Sequence, residues 1–256
     1  MKVASFNVNS LRARLDIVLE WLQRESPDVL CVQETKVVDE DFPKSAFEDI
    51  HYHTVFRGQK SYNGVALFSK TPPENIHIGF DNNSSEGTRL IIATVNSIPI
   101  VNTYIPQGYE PDSDKFRYKL DWFQRLHDYF KKNFSPDKPL LWAGDFNVAP
   151  EPADVYDPEK LAGHVGFHPD EHAALRKFRE WGLVDVFRKH QPEAGQYTFW
   201  DYRLRGGVKR NLGWRVDHIW ATKPLADRSV RAWIDKEPRL REKPSDHTPV
   251  VAEFKI

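Results

Sequence analysis

Short apolar runs in this chain repeatedly end on side chains that bind cations, move protons or hydrogen-bond phosphates. Residues 2–6 lead into Asn7, residues 28–32 into Gln33 and Glu34, and residues 98–103 into Tyr104. The run 139–143 ends on Gly144-Asp145-Phe146-Asn147, Val216-Asp217-His218 opens a further run, and Ser245-Asp246-His247 precedes residues 249–254. Strand tips and the loops beyond them are where α/β folds place chemistry. Glu34, Asp145, Asp217 and Asp246 are therefore a candidate set for metal-dependent hydrolysis. Two carboxylates about 5 Å apart repel by roughly 3 kcal/mol at an effective dielectric near ~20. Gathered at one sheet edge, these acids require protonation, basic neighbours or a cation. Oxygen donors suit hard ions such as Mg²⁺, Mn²⁺ or Ca²⁺, and Mg²⁺ takes only about one or two carboxylates, which leaves other acids free for proton work. Any one acid alone is equally well explained as a capped turn or surface ion pair. The set points to a metal.

A histidine beside a carboxylate can be oriented or held protonated by a second acid, and Asp217 is the candidate partner for His247. A cationic imidazole there could stabilise charge developing on a phosphoryl oxygen. Lone histidines are more often structural, and His51, His53, His127 and His190 are read that way. Asn7 and Asn147 carry amides able to orient a carboxylate, bind a metal or hold a nucleophile, though each alone is as readily a turn former. Tyr104, before Ile105-Pro106, could place a phenol on a phosphate. A different feature follows Tyr197-Thr198-Phe199-Trp200-Asp201-Tyr202, where Arg203, Arg205, Lys209, Arg210 and Arg215 occur without an intervening acid. Basic residues interleaved with aromatics and glycine supply phosphate contacts and stacking surfaces. Arg12 and Arg14 extend the same positive strip.

The elements that must position these groups are legible from periodicity. Leu11, Leu15, Val18, Leu19 and Leu22 share one helix face, with Asn9 or Ser10 as the expected cap and Pro27 as the stop. Phe116, Leu120, Phe123, Leu126 and Phe130 mark a second helix. Leu175, Phe178 and Trp181 mark a shorter third that ends at Gly182. Strand-like runs cover residues 3–8, 29–33, 65–69, 90–95, 98–105, 140–143, 216–221 and 250–254. Some strands follow one another without a helix, so a simple alternating parallel sheet is excluded and mixed sheets packed face to face with helices outside are expected. Residues 149–169, with Pro150, Pro152, Pro158, Pro169 and two glycines, read as a long ordered loop.

With 256 residues, no linker and aromatics spread throughout, a single core is expected over residues 1–256. The net charge of −1 neither demands nor excludes a polyanionic partner, because an average can hide a basic face. The one cysteine, Cys31, lies inside an apolar run; it reads as a buried structural thiol and fits a reducing compartment. The first residues lack the roughly 7–15-residue apolar core of a signal peptide, and no stretch reaches the ~18 apolar residues of a membrane span. A soluble cytoplasmic protein is expected.

In their order, these residues resemble the exonuclease III family of DNA repair nucleases. The resemblance rests on Phe6-Asn7-Val8-Asn9-Ser10-Leu11-Arg12-Ala13, Leu30-Cys31-Val32-Gln33-Glu34-Thr35-Lys36, Asn63-Gly64-Val65-Ala66 and Asn102-Thr103-Tyr104-Ile105-Pro106. It continues through Gly144-Asp145-Phe146-Asn147, Thr198-Phe199-Trp200, Asn211-Leu212-Gly213-Trp214-Arg215-Val216-Asp217 and Ser245-Asp246-His247. A four-layer α/β sandwich of the endonuclease/exonuclease/phosphatase type, acting as one catalytic domain, is what it implies. By the same resemblance Glu34 is the principal Mg²⁺ ligand, with Mn²⁺ as substitute, and Asn7, Asp145, Asn147, Asp246 and His247 lie on the metal side. Asp145 activates water beside Asn147, His247 paired with Asp217 contacts the phosphate, and Tyr104 touches the scissile group. Phe199 and Trp214 wall a pocket for a flipped abasic sugar, and Arg12, Asn211, Arg203, Arg205, Lys209 and Arg210 contact DNA. The implied partner is double-stranded DNA with abasic sites or 3′ ends, bound by a monomer without any membrane. The products are a 3′-hydroxyl and, at an abasic site, a 5′-deoxyribose phosphate.

Many relatives have Trp-Asn where this chain has Phe6-Asn7, and no extension precedes the first strand, so functions carried on such extensions are expected to be absent. Two rival readings keep the fold. Phosphoesterases of this kind act on inositol phosphates, sphingomyelin or unspecific DNA, against which the segment 197–215 and the lack of an apolar membrane-binding stretch both argue. A catalytically silent nucleic-acid-binding protein is opposed by retention of the polar set.

Overall fold

The computed structural model describes residues 1–80 and 85–256. Its strands are β1 (Lys2–Asn7), β2 (Val29–Gln33), β3 (His53–Arg57), β4 (Val65–Ser69), β5 (Glu74–Ile78), β6 (Leu90–Val95), β7 (Ile98–Tyr104), β8 (Leu141–Asp145), β9 (Leu183–Asp185), β10 (Asp217–Thr222), β11 (Ser229–Ile234) and β12 (Val250–Phe254). Two six-stranded sheets result, ordered β11-β12-β1-β2-β4-β3 and β5-β6-β7-β8-β10-β9. Each has one parallel pair at its centre, β1 with β2 and β7 with β8, among antiparallel neighbours. The sheets are mixed, as expected.

Alternation along the strands builds the layers. On β1, Val3 faces the opposite sheet while Ala4 and Phe6 face outward; Val29, Cys31, Leu67, Ile91, Ile100, Leu141, Ala143 and Ile219 join Val3 between the sheets. Helix α1 (Leu15–Glu25) covers the outside of the first sheet with Val18, Trp21 and Leu22, assisted by Phe47 of α2 (Lys44–Glu48). Helix α3 (Asp114–Asn133) covers the second sheet with Trp122, Phe123, Leu126 and Phe130. After α4 (Pro158–Leu161), α5 (Pro169–Trp181) adds Leu175 and Phe178 to that layer. Short helices α6 (Val186–His190) and α7 (Lys223–Ala226) flank β10. Among the described residues no helix is long and apolar enough to cross a membrane.

The inward rows change character at one end of the sandwich. Val3, Ser5 and Asn7 line β1; Val29, Cys31 and Gln33 line β2; Ile100, Asn102 and Tyr104 line β7; Leu141, Ala143 and Asp145 line β8. Between core and tip, Gln33 Nε2 donates to Asn102 Oδ1 at 2.8 Å, and Asn102 Nδ2 donates to Ala66 O at 2.8 Å. These amides stitch the two sheets together just below the tips, so a shift of one sheet would break satisfied buried hydrogen bonds. Gly144 lets β8 lie close on β7: a Cβ there would meet Thr103 O at 2.0 Å, with φ at +147°.

Some expectations need correction. The first helix begins later, at Leu15 after a 3₁₀ turn at Arg12–Arg14, and neither Asn9 nor Ser10 caps it. Both have positive φ (44° and 90°), and the Asn9 side chain is engaged elsewhere. The 149–169 stretch contains a 3₁₀ turn at Pro152–Asp154 and helix α4. Arg215 does not belong to the exposed basic strip. It is fully buried and bonds Asp154 through Nε (2.7 Å) and Asp185 through Nη2 (2.7 Å). Cys31 is a buried free thiol whose pKa burial pushes up.

Losing one partner from a buried ion cluster strands the remaining charges, at a cost of about 3–5 kcal/mol. Arg215→Leu should therefore lower the unfolding free energy from urea titration by about that amount, whereas Arg203→Ala, on the surface, should leave it unchanged; equal stabilities for the two variants would contradict the buried cluster.

Candidate active site

Register brings the polar tips together. On the second sheet Asp145 is paired in register with Tyr104 on one side and Asp217 on the other, while Asn7 faces Gln33 on the first. Across the sandwich, Asn7 Nδ2 donates to Glu34 Oε1 and to Asp145 Oδ2, both at 2.8 Å. Asn7 Oδ1 accepts from Asn9 N at 3.0 Å, so the whole amide is oriented. Asn147, at φ 52°, donates its backbone N–H to Asp145 Oδ1 at 2.8 Å and its Nδ2 to Asp145 Oδ2 at 3.2 Å. Glu34 also has a positive φ of 54°, a backbone region that costs energy for a side chain with Cβ and gathers at functional sites.

His247 Nδ1 stands 2.8 Å from Asp217 Oδ2, and both residues are buried. Burial alone would push the imidazole pKa down; the Asp217 carboxylate, backed by Asp145 and Asp246, overrides it and raises the value to about 10. In the metal-free site the Asp217 carboxylate on Nδ1 therefore favours the cationic form of His247. Asp145 moves to about 7, chiefly because burial disfavours its charge, with Asp217 adding repulsion and Asn7 and His247 opposing both. Glu34 is held below the usual carboxylate range: burial raises it, and the Lys36 ammonium with the Asn7 hydrogen bond outweighs that. Burial and the charges of Glu34 and Asp145 keep the Tyr104 phenol well protonated.

Ligand atoms of Glu34, Asp145 and His247 lie within 4.8 Å of one another. Two of these three are carboxylates, and the buried Asp217 Oδ1 beside them has no hydrogen-bond partner. Oxygen donors in a net-acidic, partly buried site fit a hard divalent cation. Asp246 stands next to this group, bonded through Oδ1 to Asn9 Nδ2 at 2.9 Å.

A pocket of about 270 Å³ opens beside His247 and Asn147. Phe199 and Trp214 face each other across a β-bridge, and Phe199 bridges to His247 as well, so the aromatic walls are held by backbone pairing to the phosphate side. Leu161, Val165 and Gly166 from the 149–169 stretch, Gln107 after β7, and Leu204 complete the lining.

The expected DNA contacts are more dispersed. Arg203 lines the pocket mouth and is bonded to Asp201. Arg205, Lys209 and Arg210 are exposed. Arg12 lies 3.8 Å from Asp41, and Asn211 donates to Gly195 O at 2.9 Å. Arg14 bonds Asn9 O at 2.7 Å and Tyr202 Oη at 3.2 Å, tying the first-strand loop to the basic one. Two neighbours of the site were not singled out from sequence: Asn9, and Lys36, whose ammonium lies 2.8 Å from Glu34 Oε2. Lys36 sits in a motif already quoted, but its spacing alone does not show that it turns back on Glu34.

A cation that binds only the folded chain raises stability by about 2.7 kcal/mol at a concentration of ~100 Kd. Millimolar Mg²⁺ or Mn²⁺ should raise the melting temperature, and Glu34→Gln should remove the increment; an increment that survives the substitution would place the ion elsewhere. Ring ¹⁵N shifts of His247 in the metal-free protein should still report imidazolium at about pH 8, where an ordinary histidine is neutral.

The whole chain is similar to known proteins in sequence and in fold. An exodeoxyribonuclease III of Haemophilus influenzae is 36% identical, with both chains covered in full. An exodeoxyribonuclease of Bacillus subtilis is 33% identical, with 98% of each covered. The solved structure of an AP endonuclease from Archaeoglobus fulgidus matches with a TM-score of 0.97 at 48% identity over all of both chains. A 3′ phosphatase from Neisseria, solved with a product DNA hairpin, matches with a TM-score of 0.94 at 37% identity, again over all of both. Since the family's sequence profile also matches residues 4–247, the chain belongs to the Endonuclease/Exonuclease/phosphatase family.

Proposed function

We infer that this chain is a divalent-metal-dependent DNA repair nuclease that hydrolyses the phosphodiester 5′ to abasic sites, and that it also removes nucleotides and blocking groups from 3′ ends. The reading includes a monomer working as one catalytic domain, with Mg²⁺ as the ion and Mn²⁺ as substitute. The observation that carries it is the junction of two features at His247: an imidazole bonded to Asp217 within reach of the Glu34 and Asp145 carboxylates, and a pocket walled by Phe199 and Trp214.

When bound by Glu34 and Asp145 with Asp246 nearby, the ion supplies charge neutralisation to the scissile phosphate. The remaining chemistry belongs to side chains. Asp145, held by Asn7 and Asn147 at the tip of β8, is placed to take a proton from water as a general base. Asn147 holds that carboxylate through its N–H and Nδ2 and lines the pocket, so it can orient the attacking water. As the water oxygen bonds to phosphorus, the bond to the upstream O3′ breaks and O3′ takes a proton from solvent, leaving a 3′-hydroxyl and a 5′-deoxyribose phosphate. His247, kept protonated by Asp217, donates to a phosphoryl oxygen as its charge grows. Tyr104 keeps its proton and can donate to the phosphate from the other side.

Phe199 and Trp214 would receive an extruded abasic sugar. Extrusion costs least where no base is stacked, which makes selectivity partly a property of the lesion. Exposed Arg205, Lys209 and Arg210 would meet the backbone, a contact that weakens as salt rises.

Purified protein should cut a duplex carrying one abasic analogue immediately 5′ to the lesion with Mg²⁺ and not with EDTA. No cleavage with any divalent ion would favour another phosphoester or a silent binding protein. Asp145→Asn should nearly abolish hydrolysis while DNA affinity persists, and unchanged turnover would remove Asp145 from the reaction. His247→Ala should lose about 10²–10³-fold in rate, read by single-turnover kinetics; a loss confined to affinity would leave it a binding role only. Trp214→Ala should blur the preference for abasic over intact DNA, and equal losses on both substrates would contradict the pocket.

A further inference from the structure

We propose that Lys119, a fully buried lysine on α3, is a positioning residue that locks the Asn147 backbone to the pocket wall. The proposal rests on the nuclease reading above. Lys119 Nζ donates to Asn147 O at 2.8 Å and to Gln107 O at 3.1 Å, and it forms an ion pair with Glu171 of α5. The Glu171 carboxylate accepts from Gly166 N at 2.7 Å and His168 N at 3.1 Å. Gly166 has φ +90°, and a Cβ placed there would meet Trp214 at 3.2 Å and Asn147 O at 3.4 Å. One buried ammonium and its carboxylate therefore link the loop of the candidate water-orienting residue, the loop after Tyr104, and the platform on which Trp214 rests.

Neighbouring bonds show that this loop is held deliberately. Asn147 O accepts from Lys119 on α3, Val148 O is 2.8 Å from His218 Nε2 on β10, and Ala149 O is 2.9 Å from His172 Nε2 on α5. The His218 tautomer follows from its partners. Arg215 Nη1 can only donate, at 2.9 Å to Nδ1, so Nε2 carries the hydrogen that goes to Val148 O. Successive carbonyls after Asp145 are thus pinned by side chains from separate elements. Asn147 has φ 52°, a left-handed conformation that asparagine tolerates, and these outside bonds fix where that turn sits.

A misplacement on the order of 1 Å can cost about a hundredfold in rate. Lys119→Met leaves Glu171 unpaired in the interior, so Lys119→Met/Glu171→Gln is made beside it, together with Lys119→Arg, which keeps the cation. Single-turnover incision of an abasic duplex and DNA affinity are measured with Mg²⁺ at a temperature where circular dichroism shows each protein folded. The double variant should be about ten- to a hundredfold slower with affinity within about twofold of wild type, and Lys119→Arg should recover most of the rate. A folded double variant at the wild-type rate would overturn the proposal, as would rate, affinity and melting temperature falling in parallel across all variants. Failure of the wild-type protein to incise would instead overturn the nuclease reading, and the two outcomes are read from separate samples.

Discussion

Glu34, Asp145 and Asp217 approach one another at the end of a sandwich whose interior turns from apolar side chains to amides toward that end, and their mutual repulsion is the constraint to which the surrounding structure answers. Charges in partly buried surroundings are screened far less than at the surface. Asn7 places one N–H donor on Glu34 and Asp145 together, bridging carboxylates from opposite sheets. Lys36 offsets Glu34, and His247 offsets Asp217. What remains uncompensated is centred on Asp145, whose affinity for a proton is raised by burial and by Asp217. Partial compensation is the useful condition: full pairing would leave nothing to bind a cation or accept a proton, and none would open the sheets.

The same condition explains which parts of the fold could be read from residues alone. Central strands such as β1, β2, β8 and β10 are buried on both faces, so they appear as apolar runs, and each tip is marked by the change to Asn, Gln or Asp. The strands not foreseen, β3, β5, β9 and β11, are the edges of the two sheets. With sequences such as ENIHI in β5, β3, β5 and β11 carry polar residues on exposed faces, while β9 is only three residues long. Helix α3 was legible because its stripe of Phe and Leu packs on a whole sheet face. The start of α1 was not, because Asn9 turned out to serve Asp246 instead of the helix end. Arg215 was misplaced for a related reason. Its neighbours in sequence are exposed cations, and only the fold reveals Asp154 and Asp185, distant in sequence, closing around it.

Buried polar groups here are arranged by distance from the chemistry. Gln33 and Asn102 sit below the tips and join the sheets; Arg215, Asp154, Asp185 and His218 sit behind the post-β8 loop; Lys119 and Glu171 sit beside it. Such networks contribute little net stability over apolar packing of equal volume, yet breaking one member is costly. They suit a site that needs one geometry more than it needs extra stability. Strained residues at Glu34 and Asn147 have the same logic, since their positive φ values persist only where neighbours overdetermine them.

The linkage between protons and folding shows which charge the site favours. Asp145 has its native pKa above the ordinary carboxylate value, so between about pH 4 and about 7 the folded chain binds more protons than the unfolded one. Stability from this group falls as pH rises through that window. For His247 the native value is also raised, from an ordinary ~6.5 to about 10. Its contribution is fully present below ~6.5 and fades as pH climbs toward about 10. Both groups therefore favour added positive charge, and they do so for one reason, the acids clustered between the sheets. A proton on Asp145 relieves that field but removes the base. A divalent cation held by Glu34 and Asp145 would relieve the same field without a proton, and it would favour the ionised form of Asp145.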